Sequence, residues 1–134
     1  MSEQNNITKI QEMYAAFFRG DVTTLLENVS DDVTWGTETV VSDIPWYPIR
    51  NGRAAVGDFF ATLASHVDFE KFEPRLYAAS GDQVFVQVDY DYRYKKNQKG
   101  ANIRAVHQFT VKDGIVSSFR AYEDTAAARD AWTS

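Results

Sequence analysis

The chain contains no cysteine, which excludes disulfides, thiolate metal centres and a cysteine nucleophile. It has only 2 histidines, and neither stands at a spacing that pairs it with carboxylates, so no metal site is expected. Positive charge is scarce. The net charge is −5, and the densest basic stretch, Arg93–Lys99, reads as a hairpin tip. Nucleic-acid binding is therefore not expected, because neutralising phosphates needs a basic surface. No window approaches the roughly 18 apolar residues of a membrane span. The opening Met-Ser-Glu-Gln-Asn-Asn has neither a basic start nor an apolar run, so no signal peptide is read there and a cytoplasmic location is expected. A Gly-rich phosphate loop, a G-x-S-x-G elbow and a nucleophilic triad are all missing, and no cofactor is expected.

What is present is an ordinary globular composition with an unusual supply of rings. The 134 residues are 44% hydrophobic and 25% charged, with 3 Trp, 7 Tyr and 9 Phe. That length fits one domain with a real core. So many aromatics suit a cavity with flat walls, and they equally suit plain packing.

Ile7, Ile10, Met13, Tyr14, Phe17 and Phe18 follow helical spacing, with Asn5 or Asn6 as the expected cap and Gly20 as the stop. Asp21 caps a second, shorter helix through Leu25, Leu26 and Val29, which Ser30-Asp31-Asp32 ends. Val33–Thr37 reads as a short strand with Val33 and Trp35 inward. Glu38–Arg50 reads as a loop stiffened by Pro45 and Pro48 and carrying Trp46 and Tyr47. Asn51-Gly52 opens a third helix, with Val56, Phe59, Phe60 and Leu63 on one face.

From Phe69 onward the hydrophobic period changes from 3.6 to 2. Strands are expected at Phe72–Ala79, Val84–Tyr94, Ile103–Val111 and Ile115–Glu123, joined by turns at Ser80-Gly81-Asp82, Lys96–Gly100 and Lys112-Asp113-Gly114. Thr125–Trp132 reads as a short terminal helix. Helices followed by a meander make an α+β domain. The simplest assembly is a curved antiparallel sheet of four to six strands around three helices, a cone whose mouth would admit a ligand.

One residue breaks the apolar phase of Ile103–Val111. Ile103, Ala105, Phe109 and Val111 share a face with His107. An imidazole there can serve as acid or base near neutrality, and burial lowers its pKa, which suits a general base. It can equally be a structural histidine bonded to a tyrosine hydroxyl or a carbonyl. Tyr14, on the stripe of the first helix, could polarise a carbonyl or simply be core. Trp35 could be wall or packing, and Trp46 and Tyr47 could be a lid, a plug or a contact between copies. Tyr90, Tyr92 and Tyr94 stripe the inner face of the long strand, while Asp89 and Asp91 fall in the outer phase. His66 stands near the end of the third helix, where a cation is favoured.

In order along the chain come Ile7–Arg19 followed by G-D at 20–21, D-D-V-T-W at 31–35 and N-G-R-A-A-V-G-D-F-F at 51–60. A-V-H-Q-F-T-V-K-D-G-I-V at 105–116 and F-R-A-Y-E-D-T at 119–125 complete the series. This order resembles the nuclear transport factor 2-like superfamily, in its SnoaL-like and ketosteroid isomerase-like branch. The resemblance implies a single SnoaL-like domain over 1–134, a cone-like α+β barrel of the cystatin kind, a deep apolar pocket and a homodimer formed through the sheet. It implies for activity a cofactor-independent isomerase, cyclase or lyase similar to SnoaL-like polyketide cyclases, or else a non-catalytic carrier or a dimerising module. The limonene epoxide hydrolase-like members carry an inward aspartate where Ala121 stands, and an Arg and Asp where Val88 and Tyr90 stand, so epoxide hydrolysis is not implied. Ketosteroid isomerases add two pocket acids, for which no clear inward residue is read, and steroid isomerisation is not implied either.

The expected site follows. His107 is the base, with Tyr14 as its catalytic partner. An apolar, cyclic or aromatic compound would lie against Trp35, Trp46, Tyr47, Phe17, Val88, Tyr90, Phe109 and Phe119.

Overall fold

A computed structural model describes residues 2–134. The elements run α1 (Glu3–Phe18), α2 (Val22–Glu27), β1 (Val29–Thr37), β2 (Arg50–Asn51), α3 (Arg53–His66), β3 (Val67–Ser80), β4 (Gln83–Tyr94), β5 (Gly100–Lys112), β6 (Ile115–Glu123) and α4 (Thr125–Trp132). The strands form one six-stranded sheet in the order β2-β1-β6-β5-β4-β3. It is an α+β fold with a curved sheet that stays unclosed, since β2 and β3 end it without meeting.

The meander β3-β4-β5-β6 is antiparallel throughout. The expectation of a wholly antiparallel sheet needs one correction: β1 runs parallel to β6, with Trp35 beside Phe119 and Thr37 beside Ala121. A parallel neighbour needs a long crossover, and everything from β2 to β5 supplies it. No local pattern announces such a pairing.

Helix α1 starts earlier than the asparagines suggest. The Ser2 hydroxyl accepts from Asn5 N–H at 3.0 Å and caps it, while Asn6 is buried. Ile10, Met13 and Tyr14 form the buried stripe, at the i, i+3, i+4 spacing of one helix face. Gly20 turns the chain with φ +72°, and Asp21 caps α2 by accepting from Thr24 N–H at 3.1 Å. That helix ends at Glu27, so Val29 opens β1 and Ser30–Asp32 lie within the strand.

Beyond β1 the backbone needs room. A Cβ on Gly36 would sit 2.8 Å from the Cα of Ile49, so glycine lets residues 38–50 fold back across the strand. The returning segment is anchored by Thr37 N–H to the Tyr47 carbonyl, 3.2 Å, and by Glu38 N–H to the Ala121 carbonyl, 2.9 Å. Ile44, Trp46 and Tyr47 are buried by it. At the β5–β6 turn both Asp113 and Gly114 have positive φ, the signature of a tight hairpin whose twist matches its strands. The β5–β6 ladder then shifts register between Thr110 and Val111. The shift buries Val116 and leaves Ile115 exposed, the reverse of simple alternation from Phe119.

Alternation does set the inner wall. Val84, Val86, Val88, Tyr90, Tyr92 and Tyr94 of β4, and Ile103, Ala105, His107, Phe109 and Val111 of β5, are all buried against the helices. The fourth helix closes the sheet's far end. Tyr94 donates to the Ala128 carbonyl at 2.8 Å, and Trp132 packs edge-on to Trp46, ring centres 5.6 Å apart. His66 lies between these rings, its Nδ1 2.8 Å from the Thr62 carbonyl oxygen. No helix is long and apolar enough to cross a membrane among the described residues.

Candidate active site

Between the helices and the concave face of the sheet is a cavity of about 100 Å³. Its walls are almost wholly carbon. Tyr14 and Phe17 come from α1, Phe59 and Phe60 from α3, Phe69 and Phe72 from β3, and Phe109 and Phe119 from β5 and β6. Of the residues singled out from sequence, His107, Tyr14, Trp35, Trp46, Phe17, Tyr90, Phe109 and Phe119 border this space. Val88 and Tyr47 do not. Val88 is fully buried between Ala105 and Pro74 on the neighbouring strands, and its short branched side chain ends in the core. Tyr47 acts at one remove, as described below.

Two polar centres interrupt the aromatic lining. The first joins Tyr14 and His107, whose hydroxyl and Nδ1 are 2.6 Å apart. The rings of Phe119, 5.0 Å away, Tyr90, 6.1 Å, and Phe109, 6.3 Å, surround the imidazole. Without water to solvate a charge, burial pushes His107 down to about 3, so at neutral pH the ring is uncharged. Burial likewise raises the Tyr14 phenol well above its ordinary value, with a smaller push from Tyr77. Both partners are therefore neutral, and their bond is one between a phenol and an imidazole.

The second centre is Glu123, at the end of β6. It corrects the reading that no acid points inward. Its side chain borders the cavity, and Tyr47 donates to its Oε2 at 2.6 Å, while Tyr90 donates to Oε1. Burial raises the carboxyl above its ordinary value, partly opposed by the two phenol hydrogen bonds, with the nearby Asp124 charge adding to the rise. Burial first, and then the Glu123 charge, raise Tyr90 and Tyr47, so both phenols keep their protons. Beyond them Tyr92 and Tyr94 are linked at 3.0 Å. Because Tyr94 donates to Ala128, Tyr92 is the donor in that link. Tyr47 thus ties the 38–50 segment to the polar centre without touching the cavity itself.

A signal for Glu123 exists in the sequence. It lies four positions after Phe119 and two after Ala121, in the phase of both, and those residues face inward. Asp89 and Asp91 lie on the outer face as their phase requires. Asp89 pairs with Arg75 at 2.5 Å, and Asp91 accepts from Asn102. Trp35 is stacked on Phe119 with ring centres 4.4 Å apart, and its indole N–H is buried without a partner. Among the described residues no group of three or more His, Asp or Glu side chains is placed to hold a metal.

The arrangement sets a neutral imidazole and a carboxyl among aromatic rings in a space lined mostly by carbon. Other proteins share the frame. An NTF2-like protein of Burkholderia xenovorans LB400 superposes with a TM-score of 0.88 at 28% identity, covering 98% of each chain. An NTF2-like protein of Burkholderia pseudomallei K96243 gives a TM-score of 0.88 at 24% identity over 100% of both chains. TerC, crystallised with polyporic acid, gives 0.85 at 24% identity over 97% of this chain and 99% of its own. No curated protein matches the chain. The sequence model of the SnoaL-like domain matches residues 10–119, from the buried stripe of α1 to the ring beneath Trp35, and the chain belongs to that family, with the NTF2-like fold.

Proposed function

We propose that this protein takes a mostly apolar, cyclic or aromatic small molecule into the cone and acts on it by cofactor-free general acid–base chemistry, as in an isomerisation, cyclisation or dehydration. The observation that carries this is the Tyr14–His107 pair on the wall of a cavity otherwise lined by rings. The pair sets an uncharged, hydrogen-bonded imidazole in a water-poor space, where a polar group of a bound compound can meet it. Flat walls favour a flat ligand, because ring faces stack in offset or edge-on geometry. The structural likeness to TerC, crystallised with polyporic acid, makes that compound a sensible probe.

Titration with polyporic acid, 2-naphthol and 2-tetralone, followed by tryptophan fluorescence, tests the binding. At least one is expected to quench saturably. Ala121 borders the cavity beside His107, as its register partner on the next strand, so Ala121→Leu fills the space and is expected to weaken that binding by at least about tenfold, or about 1.4 kcal/mol. Unchanged affinity in the variant would place the ligand elsewhere.

We also propose that the protein self-associates through the outer face of the sheet. Leu76, Phe85, Val106 and Tyr122 are exposed there and border one shallow groove, and adjoining exposed apolar side chains on a sheet mark a contact surface. Light scattering is expected to report two copies for the wild type and one for Val106→Glu; equal masses for both would remove this surface from the assembly.

A further inference from the structure

The carboxyl of Glu123 stands inside the fold without a cation. Its two oxygens accept from Tyr47 and Tyr90, and among the described residues no lysine, arginine or histidine forms an ion pair with it. Two phenol hydrogen bonds temper a buried charge but do not neutralise it, and buried charges are ordinarily paired. The sequence neighbour makes the deficit larger. Burial raises the Glu123 carboxyl, and the charge of Asp124 adds to the rise.

What this end of the cavity offers is hydrogen-bond acceptors and ring faces. The Tyr47 and Tyr90 hydrogens go to Glu123, the Tyr92 hydrogen goes to Tyr94, and the Tyr94 hydrogen goes to the Ala128 carbonyl. These four phenol hydrogens are committed, while each carboxylate oxygen keeps capacity for a further donor. Tyr90 and Tyr92 border the cavity with Glu123, their ring centres 6.0 Å apart and their planes 22° from parallel, and Trp46 borders it from the 38–50 segment. Such rings have negative faces, which attract a cation within about 6 Å of the ring centre. Two small side chains also border the cavity here, Ala121 and its register partner Thr37, and they leave space beside the carboxylate.

We infer that the Glu123 end of the cavity is a subsite for the ammonium group of an organic cation, with the carboxylate as its counter-ion and Tyr90, Tyr92 and Trp46 as the rings about it. The inference rests on the proposal that the cavity takes a cyclic or aromatic compound, and it narrows that compound to one carrying a basic nitrogen. A protonated amine supplies both things this end lacks, N–H donors for the free lone pairs and a positive charge for the carboxylate. A neutral hydroxyl supplies only the first. A metal ion is a poorer match, since among the described residues no group of three or more His, Asp or Glu side chains is placed to hold one. The net charge of −5 also favours the approach of a cation over that of an anion.

Calorimetric titration with a matched pair of compounds tests the assignment. 2-Aminotetralin carries an ammonium group at neutral pH, whereas tetralin-2-ol has the same rings and an uncharged hydroxyl. The wild type is expected to bind the amine at least about tenfold more tightly than the alcohol. Glu123→Gln keeps the length of the side chain and loses its charge, and is expected to erase that preference. Tyr92→Leu leaves the carboxylate and both its hydrogen bonds in place, and is expected to shrink the preference about threefold by removing one ring. Equal or weaker binding of the amine by the wild type overturns the inference before any variant is made. A preference that survives intact in Glu123→Gln overturns it as well. If the wild type takes up neither member of the pair but binds polyporic acid, 2-naphthol or 2-tetralone, the cation subsite is removed and the binding proposal stands; failure of every compound removes both.

Discussion

Acidification from pH 7 to pH 4 is expected to cost this fold about 3 kcal/mol through His107 alone. The imidazole ordinarily titrates near 6.5 and is held down to about 3 by burial. Below pH 6.5 the unfolded chain takes up a proton that the folded chain refuses until about pH 3, so stability is full above 6.5 and falls as the pH drops. One such group changes stability by about 1.4 kcal/mol per pH unit across that window. Glu123 acts in the opposite sense. Its carboxyl is raised in the folded state, so its contribution is fully present below the ordinary carboxylate value and is lost as the pH rises through the raised one. The His107 effect is therefore read as a difference. Urea unfolding at several pH values is expected to give a steeper acid loss for the wild type than for His107→Phe, which keeps a ring in place and removes the titration. Parallel profiles would mean that water reaches the imidazole and lets it charge in place.

The second large effect concerns Trp35. Trp35→Ala is expected to cost about 3–5 kcal/mol, the range for deleting a large buried aromatic, because its ring lies on Phe119 and against Phe59 and Phe60. Trp35→Phe is expected to cost at least about 2 kcal/mol less. It keeps much of the stack and also removes a buried N–H that has no partner, and an unsatisfied donor of that kind carries a penalty of about 1–3 kcal/mol. Denaturant midpoints of the three proteins settle the comparison. Equal costs for Ala and Phe would show that the indole N–H is already bonded, with water as the available acceptor. A ligand that brings an oxygen to Trp35 would reverse the order, since only the indole can meet it.

Much of this site was legible because strand alternation is a local property. His107 shares its phase with Ala105 and Phe109, and the tyrosines of β4 share theirs with Val86 and Val88, so inward residues could be named before any strand was paired. Tyr14 and His107 were each readable as polar groups on apolar faces. Their union was not, since 93 residues separate them and no periodicity reports a contact across that distance. Glu123 carries the inward phase of Phe119 and Ala121, but its place at a strand end, where an acid is expected to reach solvent, masks that signal, and the hydrogen bonds from Tyr47 and Tyr90 show where the side chain goes. Val88 fails as a wall residue for a related reason. Phase tells which face a side chain takes, but depth depends on its length and on its neighbours, and Val88 is short beside Tyr90. The β1–β6 pairing and the register shift near Val111 are likewise products of tertiary assembly.

The parallel join between β1 and β6 also governs the order in which the molecule can assemble. Thr34 and Ser118, which meet across it, are separated by 84 positions. During synthesis β1 emerges early, yet its main long neighbour is made almost last. Until then Trp35 lacks Phe119, Glu123 is absent, and the half of the cavity opposite α1 does not exist. Closing so long a loop costs entropy before any contact offsets it, and folds rich in such pairings form slowly. The helices and the β3–β4 hairpin can form beforehand from nearer contacts. The chain thus completes its cavity in the closing stage of folding, and a nascent chain that stalls before β6 presents an open aromatic trough.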